Sequence, residues 1–423
     1  MTRRFLDTRP PRMEEMDCRY CHAHLEFVLI NLGSAPPSNA YLSTVTLRGP
    51  EKYFPLKVFV CESCWLVQAE AYSRAAELFN DEYAYFSSFS TAWLDHSMRY
   101  VDDVVPRFGL TSSSTVVEIA ANDGYLLQFV KEKKIPCYGV EPTRNTANAA
   151  RQKGIEIIEK FFGQDLAKEL VAAGRSADLM IANNVLAHVP DIADFVLGHA
   201  ILLKPDGIAT FEFPHLYKLI SENQFDTIYH EHFSYLSFTA VRDIFAKNGL
   251  NIFDVEDIST HGGSLRVFAQ RSDHGTYKET PAVVDLVNLE FKSGVQSLDF
   301  YREFQSRADQ TKDQFLQFLL TAKFEGKKVA GYGAAAKGNT LLNYAGVRPD
   351  LISFVVDRNP VKQGWFMPGS RIPIVEEDVL TIERPDYVVI FPWNLSAEVK
   401  NQLQYIRGWG AKFVIAVPNL EID

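Results

Sequence analysis

Two Cys-x-x-Cys pairs, Cys18 with Cys21 and Cys61 with Cys64, restrict the first part of this chain more than any other feature. A core too small to stand alone folds around a metal when four thiolates can converge on it. In a reducing compartment such pairs read as metal knuckles rather than disulfides, with a redox Cys-x-x-Cys as the competing reading. The four sulfurs together complete a tetrahedral set for zinc and leave no position open for water, so the expected zinc is structural. Residues 22–60, between the pairs, form a longer insert than the simplest zinc ribbons carry. Lys and Arg are sparse around the knuckles, and the formal charge of −10 argues against bulk nucleic-acid binding. Cys137, the fifth cysteine, sits in the apolar run Ile135–Val140 and reads as a buried strand residue.

At 423 residues the chain exceeds what one core supports, so several domains are expected. We place a zinc-binding domain at 1–75, a catalytic domain at 76–275 and a Rossmann-like domain at 276–423. The N-terminal stretch is charged and lacks the apolar centre of a signal peptide. No run approaches 18 apolar residues, so a cytoplasmic chain with no membrane partner and no nucleic-acid partner is expected. From Thr115 short apolar runs alternate with helical segments, as in a doubly wound α/β sheet. The strand candidates are 115–120, 136–141, 155–158, 177–182, 207–213, 250–257 and 264–270, the last two separated by the turn His261-Gly262-Gly263. Their number and order predict the seven-stranded sheet of class I methyltransferases. Residues 276–322 read as helical, and a second βα unit opens at Lys327, with further strands predicted at 351–356, 386–391 and 412–417.

The segment Glu118-Ile119-Ala120-Ala121-Asn122-Asp123-Gly124 ends a strand and opens a helix. In nucleoside-binding α/β folds that turn lets a ligand approach the backbone, which small residues and glycine permit. A dinucleotide enzyme needs G-x-G-x-x-G to seat a pyrophosphate, and Ala120 and Asn122 replace the usual glycines here. S-adenosylmethionine has no phosphate to cradle, so this turn suits it better. Glu141, at the end of the second strand, is positioned to bind both ribose hydroxyls. Phe162 follows the third strand, where it could pack on adenine, and Asn183 with Asn184 ends the fourth, facing the ligand crevice.

After the fifth strand, Glu212-Phe213-Pro214-His215 and Phe225-Asp226-Thr227-Ile228-Tyr229-His230-Glu231-His232-Phe233-Ser234-Tyr235 concentrate histidines, acids and phenols. A metal site using His230 and His232, or a polar network holding a loop, are the plainer readings, and no third metal ligand stands at characteristic spacing.

With these motifs in place, the chain resembles the sugar C-methyltransferases of the TylCIII and TcaB9 type over essentially its whole length. The resemblance rests on the cysteine pairs, the E-I-x-x-N-D-G turn, the Y-H-E-H segment, Gly262-Gly263-Ser264 and the C-terminal G-Y-G-A-A-A-K-G-N. It implies S-adenosylmethionine as methyl donor, a structural zinc and a nucleotide-sugar substrate, a dTDP- or GDP-linked keto-deoxyhexose methylated at C3 beside a 4-keto group. By residue, it implies His232 as general base, with Tyr229, Glu231 and Tyr83 beside the sugar. It also places His188 on the substrate side, together with Asn184 and Ser264. Lys337, in the C-terminal glycine turn, is expected near the diphosphate, against the alternative of a structural turn with a surface lysine. An O- or N-methyltransferase on another acceptor and a non-enzymatic zinc-ribbon binding module are the competing functions.

Overall fold

The computed structural model describes residues 16–70 and 86–423. Its strands form three sheets. The central sheet has seven strands in the order β10-β11-β8-β7-β4-β5-β6. Strands β4 (Val116–Ile119), β5 (Cys137–Val140), β6 (Glu156–Ile158), β7 (Ala177–Asn183) and β8 (Leu203–Pro214) run parallel. The pair β10 (Leu250–Ile258) and β11 (Ser264–Arg271) joins antiparallel at the β8 edge. All seven predicted strands are present, with β8 starting earlier than expected. The continuous burial of β4, including Glu118 at 0% exposure, follows from helices covering both faces of a parallel sheet. Cys137 opens β5 and is half-buried.

Before this sheet, β1 (Phe27–Ala35), β2 (Phe54–Val60) and β3 (Val67–Ala69) form a meander. Its fourth strand is β9 (Ser234–Tyr235), supplied by the Y-H-E-H segment, a pairing that sequence pattern did not suggest. Two residues are too short to show a period, so only the fold reveals this strand.

The predicted helical stretch 276–322 divides into Pro281–Ser293 and Phe304–Phe324, the first ended by Gly294 in the left-handed conformation. The third sheet runs β14-β13-β12-β15-β16-β17. Parallel β12 (Val329–Tyr332), β13 (Val355–Val356), β14 (Ile374–Val375), β15 (Tyr387–Ile390) and β16 (Lys412–Ile415) are closed by antiparallel β17 (Glu421–Ile422). Of the predicted strand at 351–356 only two residues pair, while β14 and β17 were not foreseen. No helix among the described residues is long and apolar enough to cross a membrane.

Candidate functional site

Each cysteine pair sits in the same turn. The residue after the second cysteine, His22 or Trp65, takes a positive φ, and its N–H donates to the carbonyl of the first cysteine, at 2.9 Å and 2.8 Å. The first cysteine's own N–H reaches a carbonyl beyond the turn, Ala23 in one case and Leu66 in the other. The two knuckles bring their four sulfurs within 4.8 Å of one another, with Cys18–Cys64 at 3.6 Å and Cys21–Cys61 at 3.5 Å. Tetrahedral Zn–S bonds of about 2.3 Å require S–S separations of about 3.8 Å, so the set fits zinc with no position open.

The turn after β4 needs positive φ at Ala120, Asn122 and Gly124. At Gly124 a Cβ would also lie 2.5 Å from Ile155 Cδ1, so glycine answers to both dihedral and space. Glu141 fastens this turn from the end of β5: Oε2 accepts the Asn122 N–H at 2.9 Å, and Oε1 accepts from the Thr143 N–H at 2.9 Å and from its hydroxyl. Burial raises the Glu141 carboxyl, opposed by these bonds from Thr143 and Asn122. Burial likewise holds Glu118 well above the carboxylate range, opposed by Tyr125 and reinforced by Asp123 and Glu141. Ser87 N–H donates to Asn122 Oδ1 at 3.0 Å, and Ser88 donates to Asp123 Oδ2 through its hydroxyl.

Asn183, at the end of β7, is buried with neither amide atom hydrogen-bonded, and Asp123 Oδ1 is equally without a partner. Buried polar atoms left unpaired at strand ends suit a polar ligand in the crevice, and a nucleoside donor fits them. Phe162 is half-buried, edge-on to Phe195 and His199.

Beyond β8 the three histidines part company. His215 pairs with Glu290 at 2.7 Å, and Glu290 also accepts the Phe238 and Thr239 N–H groups, a structural network around two buried side chains. His230 engages Phe54 O at 3.1 Å through Nε2, with its buried Nδ1 unpartnered. His232 instead donates from Nδ1 to Thr227 O at 3.1 Å, which leaves Nε2 as the acceptor nitrogen of a neutral ring. Its ring lies 4.0 Å from that of Tyr229 and 4.6 Å from that of His188 (centroid to centroid), and His188 Nδ1 donates to Glu231 O at 2.8 Å. Burial, then the neighbouring His188, holds His232 well below the usual imidazole range. A cavity of about 10 Å³, room for about one water, touches His232, Thr227 and Ser234. The Y-H-E-H residues form a turn rather than an extended strand, and among the described residues the four cysteines are the one group arranged to hold a metal.

Other parts of the chain close over this cluster. Glu231 is buried, accepts from Asn39 Nδ2 at 2.7 Å, and is pushed up to about 7 by burial. Lys337 donates to Asn394 Oδ1 at 2.8 Å and His261 O at 3.3 Å and lies 4.0 Å over the Trp393 ring; burial brings it down to about 8. It is thus half-buried and engaged between elements rather than a free surface lysine. Trp393 Nε1 donates to Asp226 Oδ2 at 2.8 Å. Ser264 spends its hydroxyl on Thr260 O at 3.0 Å, within its own turn. Tyr83 lies outside the described residues.

Sequence reasoning missed His261, His96 and Asn39. His261 looked like turn punctuation, but its Nε2 meets Asn184 Nδ2 at 3.1 Å, from a backbone at φ 55°. His96 meets Glu212 Oε2 at 2.9 Å, and Arg266 meets the same oxygen at 2.9 Å. Burial opposes the charge on Glu212, but His96 and Arg266 outweigh it and keep the carboxyl low. A histidine inside H-G-G was the available signal for the first; nothing local marked the others.

Residues 18–79 match the family described as "Putative zinc binding domain", residues 93–255 a methyltransferase domain, and residues 259–418 a C-methyltransferase C-terminal domain. C-methyltransferase NovU of Streptomyces niveus is 35% identical over 405 residues, 95% of each chain. Magnesium protoporphyrin IX methyltransferase from Synechocystis PCC 6803, solved with bound SAM, is 20% identical over 43% of this chain and 82% of its own, with a TM-score of 0.32. A SAM-dependent methyltransferase from Archaeoglobus fulgidus is 14% identical over 42% and 94%, with a TM-score of 0.32. On the full-length relative and the three consecutive domain matches, the chain belongs to the C-methyltransferase family and is an S-adenosylmethionine-dependent C-methyltransferase with a four-cysteine zinc site.

Proposed function

We propose that the enzyme methylates a carbon beside the ketone of a nucleotide-linked keto-deoxy sugar, at C3 next to a 4-keto group. The observation that carries this reading is the setting of His232: a buried neutral imidazole, its Nδ1 fixed on Thr227 O, set against the Tyr229 and His188 rings and bordering the small cavity. An O- or N-methyl transfer has no need of a base for a carbon acid. The resemblance to sugar C-methyltransferases supplies the substrate class, and the reduced thiolates of a zinc site suit a cytoplasmic enzyme.

A C–H beside a ketone is acidic because its loss gives an enolate. His232 Nε2 takes that proton, and the imidazolium forms next to the enolate that its formation creates, so the two charges arise as a pair. This offsets the burial that disfavours a charged ring. In this reading Tyr229 donates to the enolate oxygen, and the resemblance gives Tyr83 the same role. S-adenosylmethionine supplies the methyl group from its sulfonium. Asn183, Asp123 and the Ala120–Gly124 turn hold the donor, Glu141 anchors its ribose, and Phe162 packs on the base. Asn184, His188 and Ser264 line the sugar side, Glu231 orients that loop through Asn39, and Lys337 faces the diphosphate. In this reading the chain divides into a zinc-binding domain at 1–75, a methyltransferase domain at 76–275 and a Rossmann-like domain at 276–423.

His232→Asn should lower turnover roughly 10²–10⁴-fold and abolish exchange of the sugar's acidic C–H with deuterium. Cofactor affinity should survive, because other strand ends bind the donor. His230→Asn serves as the comparison, since that ring faces Phe54 O. Near-normal turnover by His232→Asn would remove it as the essential base, and a methyl group found on oxygen by NMR would overturn the C-methylation site.

A further inference from the structure

The first zinc knuckle and the His232 segment meet at one strand pair. In β3 and β9, Val67 faces Tyr235 and Gln68 faces Ser234, and the Ala69 N–H donates to Phe233 O at 3.0 Å. Gln68 is 2% exposed and commits both ends of its amide to the knuckle. Nε2 donates to Cys18 Sγ at 3.1 Å, and Oε1 accepts the Arg19 N–H at 2.9 Å. Arg19 adds a second tie, donating to Ala69 O at 2.6 Å with its guanidinium 5.3 Å from the centre of the Phe233 ring. Phe233 directly follows His232, and its N–H donates at 2.8 Å to the carbonyl of Ala187, the neighbour of His188. Both histidines of the cluster therefore hang on backbone that the first knuckle braces.

We propose that Gln68 and Arg19 are positioning residues that transmit the zinc-held geometry of Cys18 to His232; this rests on His232 being the base. The physical argument is one of partners. A metal-bound thiolate is a fixed, negatively charged acceptor, and an amide N–H to it is charge-assisted and directional. Without that acceptor, Gln68 keeps a buried amide group unpaired on the strand that registers β9. A displacement of about 1 Å at a reacting group can cost roughly 10²-fold in rate.

The test uses zinc-loaded, full-length protein. Gln68→Met keeps the side-chain length and removes both amide bonds. It should hold one zinc per chain and bind S-adenosylmethionine within about twofold of the parent, while kcat falls roughly 10–100-fold. In ¹⁵N-histidine-labelled protein the His232 ring signals, assigned by their loss in His232→Asn, should shift or broaden. Those of His199, bonded to Phe195 O within its own helix, should stay. The double variant Gln68→Met/His232→Asn should be as slow as His232→Asn alone, because Gln68 acts through that ring. Losses that multiply overturn the proposal, as does a parental kcat with unmoved His232 signals. Gln68→Glu retains the acceptor for Arg19 N–H and loses the donor to Cys18, so it gives a second reading if the Met variant does not fold. It should lose turnover to the same extent, and a parental rate there overturns the thiolate link. If His232→Asn turns over normally, the base assignment is what fails, and the coupling is then judged by the ¹⁵N signals.

Discussion

Two units of this chain fasten the first turn of a parallel sheet in the same way and then diverge. In the central sheet, Glu141 follows β5 and accepts the N–H of Asn122 in the neighbouring turn and of Thr143, two residues on. In the C-terminal sheet, Asp357 follows β13 and accepts the N–H of Ala334 at 2.8 Å and of Asn359, again two residues on, at 2.8 Å. Around the first turn, Asn183 and Asp123 keep buried polar atoms without partners. Around the second, the Ala334 carbonyl is taken by the Tyr41 hydroxyl at 2.6 Å and by Lys362 Nζ at 2.8 Å. An acid at the end of the second strand is therefore a clamp on the turn in both units. Whether a ligand binds depends on what else occupies the crevice, and in the C-terminal unit a segment from the N-terminal meander does.

The largest effects should come from the glycines that both turns share. Gly124 and Gly333 have φ of 75° and 87°, and an added Cβ would lie 2.5 Å from Ile155 Cδ1 or 2.6 Å from Pro392 Cδ. Strain and overpacking together predict a loss of about 4 kcal/mol for either Ala variant, read by thermal denaturation. Equal losses would show that the turns are mechanically alike, and tolerance at Gly124 alone would break the parallel.

The seam between the units should respond to pH. Asp226, which accepts from Trp393 of the C-terminal unit, is pushed up to about 6 by burial, with Lys337 opposing. Its folded form holds the proton more tightly than the unfolded chain does. Its contribution to stability is complete below about pH 4 and is lost as pH rises through about 6, a change of about 3 kcal/mol. Asp226→Asn should flatten that part of the profile in denaturant titrations; parallel profiles for parent and variant would refute it.

A sharper separation comes from the two acids. Glu141→Ala should weaken S-adenosylmethionine binding by about 1–3 kcal/mol in calorimetry, whereas Asp357→Ala should leave that affinity unchanged. A matching loss at Asp357 would mean that the C-terminal turn also meets the donor. The smallest effect is expected from Tyr41→Phe, about 1 kcal/mol of stability for one lost hydrogen bond and no second equivalent of bound cofactor.

The local periods of β4 to β8 made the central sheet legible, because parallel strands buried on both faces read as short apolar runs between helices. The knuckles were legible from spacing alone, since four thiolates in two tight turns have few other arrangements. Candidate residues in the cofactor turn could be named for a similar reason: Gly124 and the small residues before it answer to backbone geometry, which is local. The histidines were a different matter. His215, His230 and His232 share one stretch of chain, yet they point to Glu290, Phe54 and Thr227 respectively. His261 and Asn39 reach the cluster from positions with no local signature.

By itself, then, the sequence determined the sheet order's ingredients, the four zinc ligands and the family to which the chain belongs, because each follows from short-range spacing or from motifs read in order. Tertiary structure decided that β9 completes the N-terminal sheet, that Lys337 lies half-buried over Trp393, and that His232, of three neighbouring histidines, is the one set beside Tyr229 and His188. Those outcomes depend on which carbonyl, carboxylate or ring meets each side chain's hydrogen-bonding atoms. Packing sets that choice, and no spacing within the chain encodes it.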